Sequence, residues 1–348
     1  MARQLGEWAL TQLIPDRERM HLAADVLRLG QRGAIGRLMR SRFAARLLPA
    51  FARQGLELTP PLEGRGERAI SRLGSALSPG ARMTREGGGT LVFHPAGSAR
   101  TQVTFFTTCV MEVMFASVTR EAIRLLVLAG ARVEVPAAQG CCGALHAHAG
   151  LRHQAKQLAS RNVRSLGRSA EFIVTHSAGC GAALREAGHL LHAEPEADEA
   201  RGFAGKVRDV AEVLAQLGLP GGATPLRSPR DAARPLRVGY HDPCHLAHAQ
   251  QVRSAPRALL DALPGIERVD LPNSDWCCGS AGIYNLTHAA MADAQLARKL
   301  DSIAAVSPDV VVASNPGCLL HMVRGARARG MDVPMVHLVE VLGRAYPA

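Results

Sequence analysis

The sequence predicts an α/β protein: two tandem Rossmann-like parallel-sheet domains related by internal duplication, preceded by a helical segment. Three observations predict it. Short β-branched runs alternate with helical stretches from residue 101 onward. All eight cysteines fall into one pattern written twice. Each copy closes on a similar phrase, Val210-Ala211-Glu212-Val213-Leu214 and Leu338-Val339-Glu340-Val341-Leu342, so the repeat extends beyond the cysteines into the scaffold.

Residues 1–58 read as helical. Trp8, Leu10, Leu13, Leu27, Leu29, Leu38, Leu47 and Leu48 recur at mostly helical intervals with arginine between them. Residues 59–100 are rich in Gly and Pro and read as a linker. The first domain, 101–220, has strands expected at 102–107, 132–135 and 172–175, with helices at 112–129 and 147–167. The segment 184–235 reads as a loop, a helical stretch at 207–217 and a Gly/Pro linker from 218. The second domain, 236–348, has strands expected at 236–240, 266–271 and 309–313. Its helices are expected at 255–263, 284–304 and 318–328.

In the first copy, Cys109 is followed after 31 residues by the pair Cys141 and Cys142, then after 37 more by Cys180. In the second, Cys244 is followed after 32 residues by Cys277 and Cys278, then after 39 more by Cys318. The cysteines fall just after expected strands, at helix entrances or glycine-containing turns. Ligands of open α/β sheets sit at the carboxyl ends of strands, so the four thiols of a copy can converge despite their separation. Helix entrances favour thiolates, and glycines such as Gly143 and Gly279 let backbone N–H groups approach sulfur.

Four thiolates suit either zinc or an iron–sulfur cluster. Adjacent cysteines span the edges of one small tetrahedral ion poorly, whereas a multi-iron cluster accepts them, so a cluster is the expectation; zinc stays open for one half. Disulfides are disfavoured: neighbouring cysteines bond each other only with strain, and large cytoplasmic proteins seldom need them. His241, Asp242 and His245 surround Cys244, and can hydrogen-bond sulfur, ligate iron or simply pin the loop. His146, His148 and His176 hold comparable places in the first copy.

Other function classes recede. The formal charge of +11 comes with only three lysines, Lys156, Lys206 and Lys299, among 41 basic residues, and no basic run is interleaved with stacking aromatics. Nucleic-acid binding is not expected. Residues 1–100 hold 16 arginines against 8 acids, which leaves peripheral contact with an anionic membrane surface open. The amino terminus lacks an apolar signal core and no run is long enough to span a bilayer, so a cytoplasmic location is expected. The glycines of Glu86–Thr90 do not join strand to helix as a dinucleotide loop would.

The cysteine pattern resembles the cysteine-rich CCG domains found twice in a subunit of heterodisulfide reductase. That family's full motif is Cys, then Cys-Cys, then Cys-x-x-Cys. Here Ser177 and Asn315 stand where the first member of each final pair would be. With this departure, the phrases 240–250 (YHDPCHLAHAQ), 276–286 (WCCGSAGIYNL) and 314–322 (SNPGCLLHM) look most like the iron–sulfur subunit of glycolate oxidase. The resemblance implies one or two iron–sulfur clusters, of [4Fe–4S] type, on the eight cysteines, with His241, Asp242, His245, Gly143, Gly279, Ser177 and Asn315 around them. It implies a non-flavin electron-transfer subunit of a flavin-dependent 2-hydroxy-acid dehydrogenase, partnered by an FAD-containing subunit. Such subunits carry a ferredoxin-like domain ahead of these repeats; no cysteine precedes Cys109, so a ferredoxin-like carrier is expected as a partner. A catalytic thiol/disulfide module and a zinc-binding scaffold are the alternatives left open.

Overall fold

Val103, Phe105, Val133, Ile173 and Val174 are inaccessible to solvent, as expected of strands covered on both faces. The computed structural model describes residues 6–32, 55, 57–166 and 170–347. Leu38, Leu47 and Leu48 of the expected helical segment lie outside the described residues. Within that segment, Ala9–Leu13 forms a π turn and Arg17–Gln31 a helix, started by Asp16, whose carboxylate accepts from Arg19 N.

The first half contains strands β1 (Arg82–Arg85), β2 (Leu91–His94), β3 (Thr101–Phe105), β4 (Ala131–Val135), β5 (Phe172–Thr175) and β6 (Val207–Asp209). They form one sheet in the order β1-β2-β4-β3-β5-β6. The last four are mutually parallel, with Val103 opposite both Val133 and Phe172. The second half contains β7 (Arg227–Ser228), β8 (Asp231–Tyr240), β9 (Ile266–Val269), β10 (Val310–Val312) and β11 (Met335–Val336). Here β8 lies between β9 and β10, with β11 outside β10, all parallel. The order β4-β3-β5-β6 is thus repeated as β9-β8-β10-β11, and the duplication is topological as well as sequential.

Several elements differ from expectation. Residues 59–100, read as a linker, supply β1 and β2, which pair antiparallel and extend the first sheet beside β4. Their four-residue length, around the Gly87–Gly89 turn, is too short to carry a period-two pattern. The stretch 207–217 begins as β6. Its helix, Val210–Leu217, is started by Asp209, which accepts from Ala211 N while Glu212 accepts from Asp209 N. The segment read as a loop after 184 contains the helix Ala197–Lys206, whose Gly202 and Gly205 hide it. The expected helix 112–129 breaks at Phe115, and 284–304 breaks at His288. Among the described residues no helix is long and apolar enough to cross a membrane.

One apolar core runs through both halves and includes Phe105, Leu126, Leu214, Val238, Val310 and Leu342. Polar contacts pin the junction. His337 donates from Nε2 to His176 O (2.8 Å) and accepts from Val339 N (3.3 Å). Burial pushes His337 down to about 4, so it is neutral at physiological pH. Ala178 N donates to Ser314 O (3.0 Å), and Gln250 Nε2 donates to Ala178 O (2.9 Å).

Asp209 is a second buried group in this region. Burial raises its carboxyl to about 7, against its cap bond from Ala211 N. Unfolded, the group titrates near ~4. Between these values the native state holds the extra proton. Stability should therefore fall as pH rises through this window and level off above about 7. Asp209→Asn keeps the cap oxygen and removes the ionisation. Its unfolding free energy should lose that share of the pH dependence, gaining at most about 4 kcal/mol relative to wild type on the alkaline side, read as a higher thermal midpoint there. An unchanged pH–stability curve would contradict this assignment.

Candidate metal centres

Parallel strands end at one edge of each sheet, and all eight thiols lie on the loops leaving those edges. β3 runs into the helix Cys109–Met114, whose N-cap Thr108 accepts from Met111 N. β4 leads to Cys141-Cys142, and β5 to the helix Ala178–Arg185, with Cys180 in its first turn. In the second half β8 leads to Cys244, β9 to Cys277-Cys278, and β10 to the helix Pro316–Ala328, with Cys318 in its first turn.

The four thiols of each half meet. Cys141 hydrogen-bonds both Cys109 and Cys142, and Cys142 reaches Cys180. Cys277 likewise bonds Cys244 and Cys278, and Cys278 reaches Cys318. All eight are free thiols; Cys141, Cys142, Cys278 and Cys318 are buried and the other four half-buried.

These contacts favour anionic sulfur at chosen positions. Hydrogen bonds from Cys109 and Cys142 hold Cys141 well below the usual thiol range, with His146 and the Gly143 N–H adding to them. Cys277 is drawn down to about 2 by Cys244 and Cys278, with further help from Gly279 N at 3.3 Å. Cys318 is lowered by Cys278, and His241 and Asn315 reinforce this against burial. The partner thiols Cys109, Cys142, Cys244 and Cys278 are pushed up, because they donate and are buried. Metal ligation needs deprotonated sulfur, and both pockets stabilise it before any metal enters.

The turn after each cysteine pair requires glycine. Gly279 has φ +91°, and a Cβ there would lie 2.4 Å from Ala292 O. Gly143 has φ +83°, and its Cβ would lie 3.3 Å from Ala155 O. Only a residue without a side chain brings the pair's backbone N–H groups round toward sulfur here.

The polar residues expected around the second site take distinct parts. Asp242 is clamped by Arg257 (2.7 and 2.6 Å) and Ser274 Oγ (2.7 Å). Burial would raise its pKa, but these bonds prevail and hold it below the ordinary range. It anchors the loop. His245 lies beside its neighbour, with Nδ1 3.5 Å from Cys244 Sγ. His241 donates from Nδ1 to Ser274 O (3.0 Å), and the ring groups with the Cys278 and Cys318 sulfurs, ligand atoms within 4.8 Å of one another. Asn315 donates from Nδ2 to Cys318 Sγ (3.4 Å), and its Oδ1 accepts from Gly179 N in the other half (3.1 Å). Ser177 is buried at the start of its helix without a side-chain cap bond.

Residues that hold the thiol loops escaped the sequence reading. Asn162 accepts from Gly140 N (3.0 Å) and donates to Cys141 O (2.9 Å). Lys299 serves the corresponding helix of the second half, donating to Asn273 O (2.7 Å) and Ser274 O (3.1 Å). Gln139 accepts from Thr107 N (2.8 Å). Each is a buried polar side chain, Asn162 and Lys299 on helices and Gln139 in the loop after β4, and each finds its role only through a partner distant in sequence.

The two halves meet beside the sites. The rings of His148 and His245, one from each half, lie 5.4 Å apart. A cavity of about 500 Å³ opens onto the first site, lined by Cys109, Cys141, Arg17, Arg19 and Arg161. Another of about 390 Å³ opens onto the second, lined by Cys244, Cys277, Trp276, Arg298 and Lys299. Arg298 stacks on the half-exposed Trp276 ring at 4.1 Å.

The donor set fits iron–sulfur ligation. Each pocket offers four convergent thiols, sulfur-directed donors such as Gly279 N and Asn315 Nδ2, and partial burial.

Comparison with known proteins agrees with this geometry. A cysteine-rich domain model, CCG, matches residues 103–185 and again 238–323. The chain is 31% identical over 345 residues to the "Probable glycolate oxidase iron-sulfur subunit" of Bacillus subtilis, covering 98% of this chain and 72% of that protein. It is 29% identical over 244 residues to lactate utilization protein A of Geobacillus kaustophilus, covering 69% and 98% respectively. It is 31% identical over 249 residues to a fumarate reductase (CoM/CoB) subunit of Methanothermobacter marburgensis, covering 70% and 46%. A hypothetical protein from Helicobacter pylori shares the fold, with TM-score 0.51 at 11% identity over 86% of this chain and 57% of that one. The chain belongs to the family of duplicated cysteine-rich CCG proteins that includes the glycolate oxidase iron–sulfur subunit.

Proposed function

We propose that this chain is the electron-transfer subunit of an oxidoreductase complex in which a 2-hydroxy acid of the glycolate or lactate class is oxidised at flavin on a separate subunit. Cys109, Cys141, Cys142 and Cys180 would hold one iron–sulfur cluster, and Cys244, Cys277, Cys278 and Cys318 a second, both of [4Fe–4S] type. The observation that carries this reading is the convergence of four thiols at the strand ends of each half, with hydrogen bonds that favour anionic sulfur. The names of the relatives support the oxidoreductase setting.

When bound, such clusters supply one-electron centres. The protein's own part is to hold, insulate and connect them. Cys142 packs with Ile173, Leu184 and Phe203, and Cys278 and Cys318 with Leu271, Leu300 and Ile303, so an apolar wall covers the inner side of each site. The half-buried Cys109, Cys244 and Cys277 line cavities that reach the surface, giving routes for electrons to enter and leave. Asn315, bonded to Cys318 sulfur and to Gly179 N of the other half, links the two sites directly.

The test is anaerobic mixing of the iron-loaded chain with a flavin-containing 2-hydroxy-acid dehydrogenase subunit from the same cell and glycolate or lactate. Visible absorption of the chain should bleach at a rate set by substrate, and not with substrate alone. A flavoprotein that turns over with an artificial acceptor while the chain's spectrum stays constant would contradict the proposal.

A further inference from the structure

The two halves differ in one respect that the cysteine pattern hides. Three residues before Cys244 stands His241; three residues before Cys109 stands Phe106. Both are fully buried at the ends of corresponding strands, β8 and β3. We propose that His241 Nε2 is a direct ligand of the metal centre in the second half, so that the duplicated sites hold chemically different centres. This rests on the reading of the second thiol group as a metal site.

Three observations carry it. The tautomer is fixed: Ser274 O can only accept, so His241 Nδ1 carries the proton and Nε2 presents a lone pair. That Nε2 is buried, makes no hydrogen bond of ordinary geometry, and faces the Cys318 sulfur. The ring forms a compact group with the Cys278 and Cys318 sulfurs, their ligand atoms all within 4.8 Å of one another, close enough to share a metal centre.

The surroundings are those of a ligating histidine. Such rings donate their other N–H to a carbonyl that is itself held in place. Ser274 O also accepts from Lys299 Nζ (3.1 Å) and Asp242 N (3.1 Å), and Asp242 is clamped by Arg257. Four groups therefore converge on aiming one imidazole. The first half differs in the place and number of sulfurs reached: its His146 also has a buried, unpartnered ring nitrogen, Nδ1, but it stands after the cysteine pair and not at a strand end. Phe106 offers no donor, and His146, bonded from Nε2 to Leu10 O (2.7 Å), approaches a single thiol, Cys141. An imidazole is neutral where a thiolate is anionic, and nitrogen ligation raises cluster potentials. Where His241 takes an iron in place of one of the four second-half thiolates, the second centre should be the more readily reduced of the two.

The experiment uses full-length protein carrying isotopically labelled histidine, reconstituted anaerobically with iron and sulfide and poised in its paramagnetic state. Pulsed EPR should show a directly bonded histidine nitrogen, lost in His241→Ala and kept in His245→Ala and His146→Ala. No such coupling in wild type, or its survival in His241→Ala, overturns the proposal. His241→Cys restores a donor without nitrogen. It should keep the second centre and lose only the coupling, which separates ligand loss from misfolding. Failure of the underlying reading looks different: the protein would take up no iron and sulfide. Cadmium-loaded protein then decides the ligand by NMR, a one-bond cadmium–nitrogen coupling at His241 supporting it and its absence overturning it.

Discussion

Cys278→Ala is expected to halve the iron and sulfide content of the anaerobically loaded protein while leaving a folded chain. Cys278 sits centrally in its site, bonded to Cys277 on one side and Cys318 on the other, and is almost fully buried. Removing its sulfur breaks the thiol chain at the middle, where no other side chain of thiolate character can substitute. The damage should stay local for a structural reason. The second site packs against its own apolar cluster of Leu271, Leu296, Leu300 and Ile303, separate from the core that joins the halves. The substitution itself should cost the apo fold only about 1–2 kcal/mol. Cys142→Ala should do the same in the first half. Loss of all iron from either variant, with circular dichroism unchanged, would mean one centre shared between the halves.

Gly279→Ala should be nearly as damaging through the backbone alone. At φ +91° an alanine is strained, and its Cβ would collide with Ala292 O at 2.4 Å, a backbone atom that cannot rotate away. Strain and overpacking together should cost about 3–5 kcal/mol, a large share of the ~5–15 kcal/mol typical of a domain. The urea midpoint should fall and the second centre should be lost. Gly143→Ala meets Ala155 O at 3.3 Å and should be milder. Equal effects of the two substitutions would show that the turn geometry after the pairs does not matter as argued.

The alternation of strand and helix and the doubled cysteine pattern were legible because both are local or periodic signals. β3, β5 and β10 are short β-branched or aromatic runs, each followed by a cysteine-bearing segment, whereas of the ten-residue β8 only its last five residues, 236–240, could be read as strand. β1 and β2 were not legible, being four residues each beside a glycine turn, with pairing that depends on β4 some forty residues away. The helix Ala197–Lys206 is obscured by its glycines, and only Ala200 and Phe203 mark its buried side. At the sites, the thiols and the loop glycines could be read directly. The parts played by Asn315, Lys299 and Asn162 could not, because each depends on a partner distant in sequence. Histidines near cysteines were visible, but which ring nitrogen faces sulfur depends on carbonyls such as Ser274 O, 33 residues from His241.

The central claim is that each thiol group holds an iron–sulfur cluster. Elemental and acid-labile sulfide analysis of anaerobically purified protein, with Mössbauer spectra of wild type, Cys142→Ala and Cys278→Ala, tests it most directly. The protein should be brown, with iron and sulfide in about equal amounts. Its spectra should resolve two sets of iron signals, one missing from each variant. Colourless protein that carries stoichiometric zinc after anaerobic reconstitution with iron and sulfide would contradict the claim.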